Sequence, residues 1–455
     1  MSRIIGAFVV CGTITNTSPV IVGTGAGGEG GDIEIARGYF GEQPYIPATS
    51  LTGVLRHRIA RKVAKNSPLR CFWGGERDND CQSHFVIEDL IPEEGSIPTV
   101  AVRDGIKIDD RTGLAKPRFK FTREVIEPGA RFRFHAEALL REGFQEDLFK
   151  TQIGRVLYEL SHGSLAVGAM TTKGFGRIRL DGEYRTWKFD FSREGHARDW
   201  LEFRGGGEPP DRLKEAIAPR AGTGGRSFSI SAEFGLKSSL IIGSYSSAPR
   251  MPDKVHLTCK GRPIISGTSL KGALRARAAR IVNTFGKDGS ALLRTTFGWA
   301  EDDERTKARP IKSKLVVEET EVLDASSEIQ SRVKIDRFTG GALESALYDS
   351  MPQWETERGS LLTIRMCLED FEDWEAGLLL HLLKDLWNGD LPVGGEKNVG
   401  RGVLKGKKAT IHVGGKEHVI EAGPAGTLSF SEGARQTLEN YAKAFKDEMM
   451  EACNG

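Results

Sequence analysis

The stretch Ile46-Pro47-Ala48-Thr49-Ser50-Leu51-Thr52-Gly53-Val54-Leu55-Arg56-His57-Arg58 recurs as Ile265-Ser266-Gly267-Thr268-Ser269-Leu270-Lys271-Gly272-Ala273-Leu274-Arg275-Ala276-Arg277, 219 residues later. Both copies share the pattern Leu-x-Gly-x-Leu-Arg-x-Arg. Leucines four residues apart are typical of one face of a helix, and a preceding Thr-Ser pair supplies hydroxyls that cap a helix N-terminus. The stretch therefore predicts an N-capped basic helix that occurs twice.

Four further matches follow the same order along the chain, and all five lie at offsets between 219 and 230 residues. The additional pairs are Val20–Gly23 with Leu240–Gly243, Ser83–Glu88 with Ser313–Glu318, Lys107–Asp109 with Lys334–Asp336, and Gly176-Arg177 with Gly400-Arg401. Five ordered matches predict two tandem copies of one unit, and 455 residues suit two domains. We expect domains over 1–203 and 227–455, a flexible Gly- and Pro-rich linker over 204–226, and a C-terminal helical tail.

Each copy has the same predicted order of elements, namely strand, helix, strands, helix and strand. The first helix follows the quoted stretch, and the second covers Asp147–Ser161 or Asp373–Asn388. This order is typical of a ferredoxin-like or RRM-like sheet, which places the chain in the α+β class. The stretches near 90–130 and 302–350 are too long for plain connections and are interpreted as inserted functional loops.

Composition narrows the class of protein. The chain is 39% hydrophobic and 28% charged, which is ordinary for a soluble globular protein, and no apolar run approaches a membrane span. We therefore expect a cytoplasmic protein without a membrane partner. Six scattered cysteines argue against a disulfide framework. Cys71, Cys81 and His84 are three candidate zinc ligands without a fourth, so buried thiols are the favoured interpretation and no structural metal is expected.

Positive charge is concentrated in and around the two predicted helices. Gln43–Gly75 holds six Lys or Arg and no acid, and Lys254–Lys287 holds eight and again no acid. Solvated faces usually mix both signs, so this segregation predicts a phosphate-binding edge in each copy, completed by the helix N-terminus. The candidate RNA-binding residues here are Thr49, Ser50, Arg56, Arg58 and Arg61 in the first copy, and Thr268, Ser269, Lys271, Arg275 and Arg277 in the second.

A Gly-containing basic turn precedes the last strand of each copy. It reads Lys173-Gly174-Phe175-Gly176-Arg177 in the first copy and Lys397-Asn398-Val399-Gly400-Arg401 in the second. Glycines let the backbone approach a phosphate closely, so Lys173, Arg177, Lys397 and Arg401 are further RNA-binding candidates, with an ordinary β-turn as the alternative. Neither turn has the spacing of a nucleotide-binding P-loop.

Together these motifs resemble the RAMP superfamily, the repeat-associated proteins of CRISPR systems. The resemblance rests on the first strand, the Gly-rich loop, the Pro-x-(Ser/Thr)-Ser-Leu-x-Gly-x-Leu-Arg helix start and the closing Gly-x-Gly-Arg. It is nearest to the backbone subunits of type III effector complexes and covers both halves, as in a fused, III-D-like backbone subunit. It implies two ferredoxin-like RAMP domains with inserted thumb-like loops.

The resemblance also implies partners and a reaction. Such subunits bind the CRISPR guide RNA, assemble with other subunits of the complex and cut the complementary target RNA at regular steps. Cutting uses a loop aspartate after the first strand, a divalent metal (Mg²⁺ or Mn²⁺) and the RNA 2′-OH as nucleophile. The corresponding residues here are Asp32 and Asp253, which are the candidate catalytic and transient metal-binding residues.

Three interpretations remain open. The two Lys-Ile-Asp segments resemble the part that precedes or forms the thumb, where Lys107, Arg111, Lys334 and Arg337 are candidate backbone contacts, although a surface turn is the alternative. The chain is either a cleaving backbone subunit or a non-cleaving RNA-binding scaffold. A stand-alone, metal-free RNA-processing enzyme that uses His57 is disfavoured, because Ala276 stands at the matching position of the second copy.

Overall fold

The computed structural model describes residues 3–23, 33–38, 42–60, 69–75, 82–109, 112–204, 209–222, 225–245, 251–299 and 309–451. Their contacts divide the chain into two units. The first comprises Met1–Lys107, Ala115–Thr171 and Phe175–Gly224, and the second comprises Ile108–Leu114, Thr172–Gly174 and Gly225–Gly455. Asp32, Arg61, Cys81 and Arg111 lie outside the described residues.

The first unit contains strands and helices that alternate as its sequence pattern predicts. Its strands are β1 (Ile4–Asn16), β2 (Phe85–Ile87), β3 (Val100–Ile108), β4 (Ala115–Ile126), β5 (Arg131–Arg141), β6 (Ile178–Leu180) and β7 (Arg185–Asp190). Its helices are α1 (Ala48–Ala60), α2 (Leu69–Phe72), α3 (Glu146–Ser161) and α4 (His196–Arg204).

The second unit repeats this order and adds strands at both edges of its sheet. Its strands are β8 (Ser227–Leu236), β9 (Gly243–Ser244), β10 (Lys254–His256), β11 (Thr258–Cys259), β12 (Arg262–Ile265), β13 (Leu315–Val317), β14 (Thr320–Leu323), β15 (Ala325–Ser327), β16 (Gln330–Ile335), β17 (Ala342–Met351), β18 (Gln353–Glu355), β19 (Leu361–Glu369), β20 (Leu404–Val413), β21 (Lys416–Ala422) and β22 (Leu428–Phe430). Its helices are α5 (Gly267–Thr284), α6 (Gly289–Leu292), α7 (Arg294–Phe297), α8 (Asp373–Asn388) and α9 (Ala434–Glu451).

Both units contain the antiparallel sheet of a ferredoxin-like fold. The order is β2-β5-β1-β6 in the first unit, and β19-β8-β20 with β13 beside β19 in the second. Each first strand is central and pairs antiparallel with both neighbours. The predicted α+β class and the ferredoxin-like repeat are therefore confirmed.

One face of each sheet packs on the helices. In α1 the buried residues are Leu51, Leu55 and Ile59, one every four positions, and α5 buries Leu270 and Leu274 at the matching places. This spacing brings the side chains onto one helix face, and it explains why the quoted stretch keeps both leucines. Removing one fully buried leucine side chain of this kind costs about 2–5 kcal/mol of stability.

The opposite faces of the two sheets differ. In the first unit α4 and β7 bury this face in an apolar cluster of Ala7, Val9, Trp187, Phe189 and Leu213. In the second unit the corresponding alternate residues of β8 are Ser229, Ser231 and Glu233. An RRM binds RNA by stacking bases on aromatic residues of this face. Among the residues that the structure describes, the first face is covered by its own helix and strand and the β8 residues of the second face are not aromatic, so the sheet edge and the loops are the more suitable places for RNA contacts.

Residues 209–222 lie within the predicted flexible linker over 204–226, but they pack on the first unit, so the prediction is wrong for this part. Leu213 and Ile217 are buried in the first unit, and Lys214 forms an isolated antiparallel β-bridge with Trp187. The backbone N–H of Glu215 donates to Thr186 O at 2.9 Å. Its apolar side chains therefore fix this segment to the first unit despite its glycine and proline content.

The N-terminal caps of the two basic helices also differ from the prediction. Ser266, rather than Thr268 or Ser269, caps α5, and its hydroxyl accepts from the N–H of Ser269. In the first unit, the N–H of Ala48 donates to Asp89 Oδ1 at 2.7 Å. A carboxylate of the protein itself thus occupies the N-terminus of α1, where the sequence predicted an anion site.

The structure pairs the closing turns of the two units differently from the sequence prediction, because Gly176 matches Gly402 and not Gly400. Gly176 and Gly402 both have positive φ (83° and 79°) and accept from the N–H groups of Val167 and Val393. Gly174 and Gly400 match likewise, so the recurrent unit is Gly-x-Gly with an offset of 226. Arg401 therefore corresponds to Phe175 rather than to Arg177.

Substituting Gly402 by Ala should destabilise the second unit strongly. An added Cβ would overlap the carbonyl oxygen of Val393, and the positive φ disfavours any other residue. We expect a loss of at least ~2 kcal/mol in the free energy of unfolding, measured by chemical denaturation. Gly272→Ala is the control: its Cβ meets nothing within 4 Å on α5, so stability should rise by up to ~1 kcal/mol. Equal effects would contradict the close-approach explanation.

Candidate nucleic-acid interface

The second arginine of each Arg-x-Arg motif is engaged by a carboxylate of the second helix. Arg58 Nε lies 2.5 Å from Glu159 Oε2 on α3, and Arg277 Nε lies 2.7 Å from Asp385 Oδ2 on α8. The two pairs occupy matching positions of the two copies. Arg58 and Arg277 were predicted to bind RNA, but their guanidinium groups join helix to helix, which is a structural role.

Lys271 is likewise turned inward. It is 4% exposed, and its Nζ donates to Ser313 Oγ at 2.7 Å and to Leu315 O at 2.6 Å. Burial, together with the nearby charges of Lys173 and Arg275, lowers the pKa of Lys271 to about 7. The prediction that Lys271 binds RNA is therefore wrong, because its amine is buried and hydrogen-bonded to the segment that enters the sheet.

The first arginine of each motif remains at the surface. Arg275 is half-buried, and Arg56 is half-buried with one long contact of 3.4 Å from Nη2 to Gly74 O. Arg280, one turn beyond Arg277, is exposed. The basic edge of the second unit is therefore narrower than predicted and consists of Arg275 and Arg280 on α5.

The Gly-x-Gly turn adds one cation to this edge. Lys397 is largely exposed, although local desolvation and the neighbouring charge of Arg280 lower the pKa of its amine. The turn therefore adds Lys397 to the cations that act near Arg280 in the second unit. Lys173 is exposed, and Arg177 is half-buried with Nη1 donating to Gly163 O at 3.3 Å. Thr49 is exposed, whereas Ser50 and Thr268 are half-buried.

Arg401 departs from the prediction most clearly. It is 1% exposed, so it cannot lie along an RNA backbone as an open contact. Its Nε lies 3.2 Å from Glu396 Oε2, and its Nη2 donates to Gln330 Oε1 at 2.5 Å. Burial, the largest influence, and the nearby charge of Arg332 lower its pKa, whereas Glu396 raises it.

Asp253 stands at the end of a loop between two short strands. The loop leaves β9 and returns in β10, which pairs antiparallel with β9 and parallel with β17. Asp253 is exposed, and its Oδ2 accepts the backbone N–H of Asp349 at 3.2 Å. The inserted strand β17 therefore fixes the end of the candidate catalytic loop through its contacts with Asp253 and Lys254.

The first unit has the same arrangement around the position of Asp32. Three bridges recur: Val20–Ile126 matches Leu240–Gln353, Gly23–Ile35 matches Gly243–His256, and the parallel Ile33–Arg123 matches the parallel Lys254–Ser350. Asp32 directly precedes Ile33 and Asp253 directly precedes Lys254. The two aspartates therefore occupy matching sequence positions beside matching bridges, although Asp32 itself lies outside the described residues.

The two Lys-Ile-Asp segments form the ends of long inserted hairpins. β3 and β4 form one hairpin, and β16 and β17 form the other. In both turns the aspartate holds the loop, since Asp109 Oδ1 accepts the N–H of Thr112 and Asp336 Oδ1 accepts that of Thr339, each at 2.8 Å. In each turn the N–H of a glycine with positive φ, Gly113 or Gly340, also donates to the carbonyl of the aspartate, which explains the recurrence of this motif. In the second hairpin, Phe338 at the tip is 99% exposed.

The remaining candidates have structural explanations. His57 is exposed on α1. His84 Nδ1 lies 2.8 Å from Leu139 O. Cys71 is disulfide-bonded, which contradicts the expected buried thiol and leaves no thiolate there for zinc. Among the described residues, no group of three or more metal-ligating side chains converges.

Sequence reasoning missed Arg332 and Glu396. Glu396 Oε1 lies 3.2 Å from Lys254 Nζ, and its Oε2 lies 3.0 Å from Arg332 Nη1. Together with Arg401, these residues form an ionic cluster beside the Asp253 loop. Lys254, Arg332 and Glu396 are far apart along the chain and no local spacing links them, so only the fold brings these three together.

Replacing each arginine of the α5 Arg-x-Arg motif in turn should separate stability from RNA binding. Arg277→Ala leaves Asp385, which is 4% exposed, with only the longer 3.8 Å pair to Lys384 Nζ, so we expect a loss of about 2–3 kcal/mol by denaturant unfolding. Arg275→Ala should change stability by less than ~0.5 kcal/mol and weaken RNA affinity, measured by fluorescence anisotropy. The opposite assignment of effects would contradict this division of roles.

Acid should destabilise the second unit through His256. This buried side chain accepts the Ile242 N–H at Nδ1, and its Nε2 lies 2.9 Å from Ile264 O. Burial lowers its pKa from 6.5 to about 4. The unfolded chain then binds the proton first, so the free energy of unfolding falls by up to ~3 kcal/mol as pH drops from 6.5 to 4. His256→Gln should show a flatter pH profile in denaturant titrations; parallel profiles would refute the assignment.

Family comparison agrees with the doubled fold. The model of the RAMP superfamily matches the chain twice, over residues 13–179 and 233–405, which together cover more than half of it. A comparison with curated proteins finds no match. No described helix is long and apolar enough to cross a membrane. The match supports an RNA-binding subunit associated with type III CRISPR systems. The chain belongs to the RAMP superfamily and carries two copies of its unit in tandem.

Proposed function

We propose that the protein is a backbone subunit of a type III CRISPR ribonucleoprotein, which binds the guide RNA and cuts the paired target RNA once per unit. The observation that carries the proposal is the matched position of Asp32 and Asp253 beside the recurring parallel bridges Ile33–Arg123 and Lys254–Ser350. Both aspartates directly precede the residue that makes this parallel bridge, so the two copies keep an acidic residue at the same place in the repeated fold. Its partners are the guide RNA, the complementary target RNA and further subunits of the complex.

The basic edge supports guide binding. In the second unit Arg275 and Arg280 lie on α5, and Lys397 lies at the adjoining turn. Lys173, which is also part of the second unit, is exposed, and in the first unit Arg56 is half-buried. Side chains that reach phosphates from helices and turns bind RNA without reading its sequence, as a guide of variable sequence requires.

The hairpins support a second kind of contact. Exposed apolar side chains line the β16–β17 hairpin, including Val333, Ile335, Leu347 and the tip residue Phe338. A fully exposed aromatic side chain on a rigid turn is suited to stacking on a nucleobase, which is worth about 1–3 kcal/mol per base. Lys334 and Arg337 flank this tip and suit the neighbouring phosphates.

The cleavage chemistry requires little of the protein. The 2′-oxygen attacks the adjacent phosphorus and the bond to the 5′-oxygen breaks. The 2′-OH proton passes to a base, the departing 5′-oxygen takes up a proton from water, and the products are a 2′,3′-cyclic phosphate and a 5′-hydroxyl. Asp253 suits the role of base because its carboxylate is exposed and its orientation is held by the Asp349 N–H.

A divalent metal fits the same group. Mg²⁺ is commonly held by one or two carboxylates together with substrate phosphates, and Asp253 offers one open carboxylate. When bound, Mg²⁺ or Mn²⁺ would neutralise charge on the phosphoryl oxygens. The protein's own contribution is to place the carboxylate and to hold the RNA backbone beside it.

Cleavage mapping tests the proposal. In the complex assembled with guide RNA, complementary target and Mg²⁺, Asp32→Ala and Asp253→Ala should each remove one cut, because each carboxylate serves one unit. Target binding, measured by gel shift, should stay unchanged. Each variant also serves as the control for the other, since the remaining cut reports an intact complex.

Persistence of both cuts in the double variant would refute the aspartate assignment. Absence of cutting by the unmodified complex, with guide and target both bound, would favour the non-cleaving scaffold.

A further inference from the structure

Three positions beside the candidate aspartates carry opposite chemistry in the two units. Ile33 and Lys254 make the same parallel bridge. Met170 and Glu396 share a positive φ of 60° and 56°. Phe175 and Arg401 are the middle residues of the two Gly-x-Gly turns. An apolar triplet in the first unit therefore corresponds to a Lys-Glu-Arg triplet in the second.

In the first unit these positions form a small apolar cluster. Phe175 is buried with Ile21 and Val125, and Ile33 and Met170 pack against them. Two buried cations border this cluster, since Arg103 lies over the Phe175 ring and Arg123 contacts Met170 Sδ. Burial of apolar surface contributes to holding the loop and the turn together, and the three aligned positions themselves carry no charge in this unit.

In the second unit the same positions are ionic and unbalanced. Glu396 pairs with Lys254, Arg332 and Arg401, so three cations and one carboxylate leave a net charge of +2. Within the described part of the chain, neither Asp253 nor Asp349 lies within ion-pair distance of these cations. If the charge of Glu396 is assigned to the buried Arg401, the net positive charge lies on Lys254 and Arg332.

A neighbouring glycine makes room for the lysine. A Cβ on Gly395 would lie 3.2 Å from Lys254 Nζ, whereas the first unit has Ala169 at the corresponding position and Ile33 in place of the lysine. Four positions therefore differ between the two units, and the second unit carries its charges where the first has apolar side chains.

The excess charge is accessible and lies next to the candidate catalytic residue. The side chains of Lys254 and Arg332 are 34% and 25% exposed, while that of Arg401 is only 2% exposed. Lys254 directly follows Asp253 in the chain. Two partly desolvated cations held in fixed positions favour an anion with several acceptor oxygens, as a phosphodiester has.

We propose that Lys254 and Arg332 bind one phosphate group of an RNA strand beside Asp253, with Glu396 and Arg401 holding both cations in place. This phosphate site belongs to the second unit alone, because the first has Ile33 and Met170 there. The inference rests on the proposed function, since it requires RNA to pass the Asp253 loop. It makes the second unit the more salt-sensitive of the two.

Salt dependence of RNA binding tests the site directly. The full-length chain is titrated with a labelled single-stranded RNA at several salt concentrations, and the slope of log K against log salt is compared between variants. Lys254→Ile and Arg332→Gln should each weaken binding at low salt, and each should reduce the slope by up to ~0.7 if a phosphate contact is lost.

Glu396→Gln separates a binding role from a purely structural one. Glutamine keeps an acceptor oxygen that can still position the two cations and removes only the competing negative charge, so RNA affinity at low salt should rise, while the melting temperature falls because Arg401 is left buried without its carboxylate. A cluster that only supports the loop would lower or preserve the affinity instead, and that result would overturn the proposal.

A fourfold exchange keeps the test valid if single variants fold poorly. Lys254→Ile with Gly395→Ala, Glu396→Met and Arg401→Phe installs the apolar set of the first unit. It should retain the melting temperature better than Lys254→Ile alone and still show the reduced salt slope. An unchanged slope in this folded variant would overturn the proposal.

A further control distinguishes the two levels of inference. Arg275→Glu, on the basic edge, should weaken RNA binding if the proposed function holds. Loss of binding in Arg275→Glu with no effect of Lys254→Ile would refute the phosphate site alone. Absence of RNA binding by the unmodified chain, alone and in the assembled complex, would instead refute the proposed function.

Discussion

The close backbone approach at the Gly-x-Gly turn is the constraint on which each unit depends. The N–H of Gly176 donates to Pro19 O and that of Gly402 to Ser239 O, both at 2.7 Å, while their carbonyls accept from Val167 and Val393. This places the end of the first strand, the loop after the second helix and the last strand in one layer. A side chain at either glycine would separate them.

The residues proposed for function in the second unit are positioned by this junction. The chain that leaves Ser239 leads into the Asp253 loop, and the residue inside the turn is Arg401. Glu396 lies in the loop that the junction holds. The same backbone frame therefore carries an apolar cluster in the first unit and an ionic cluster in the second. A fixed frame with exchangeable side chains is how two copies of one fold can diverge in their contacts with RNA.

The Arg-x-Arg motif shows a division of labour within three residues. The second arginine reaches back to the helix behind it, as in the pairs Arg58–Glu159 and Arg277–Asp385. The first arginine points to another side because residues two apart on a helix do not share a face. A motif that reads as a uniform basic patch thus contains one structural cation and one surface cation in each unit.

Periodicity and repetition in the sequence were enough to predict the α+β class, the doubled ferredoxin-like unit, the leucine face of each first helix and the cations of the basic helices. These features are local: a spacing of four residues or a repeated string has the same meaning in any fold. Other features depended on distant residues. Burial of Lys271 and Arg401, capping of α1 by Asp89 and packing of 209–222 on the first unit were decided by neighbours far away in sequence. The cluster around Glu396 arose in the same way, because ion pairs form wherever the tertiary structure brings opposite charges together.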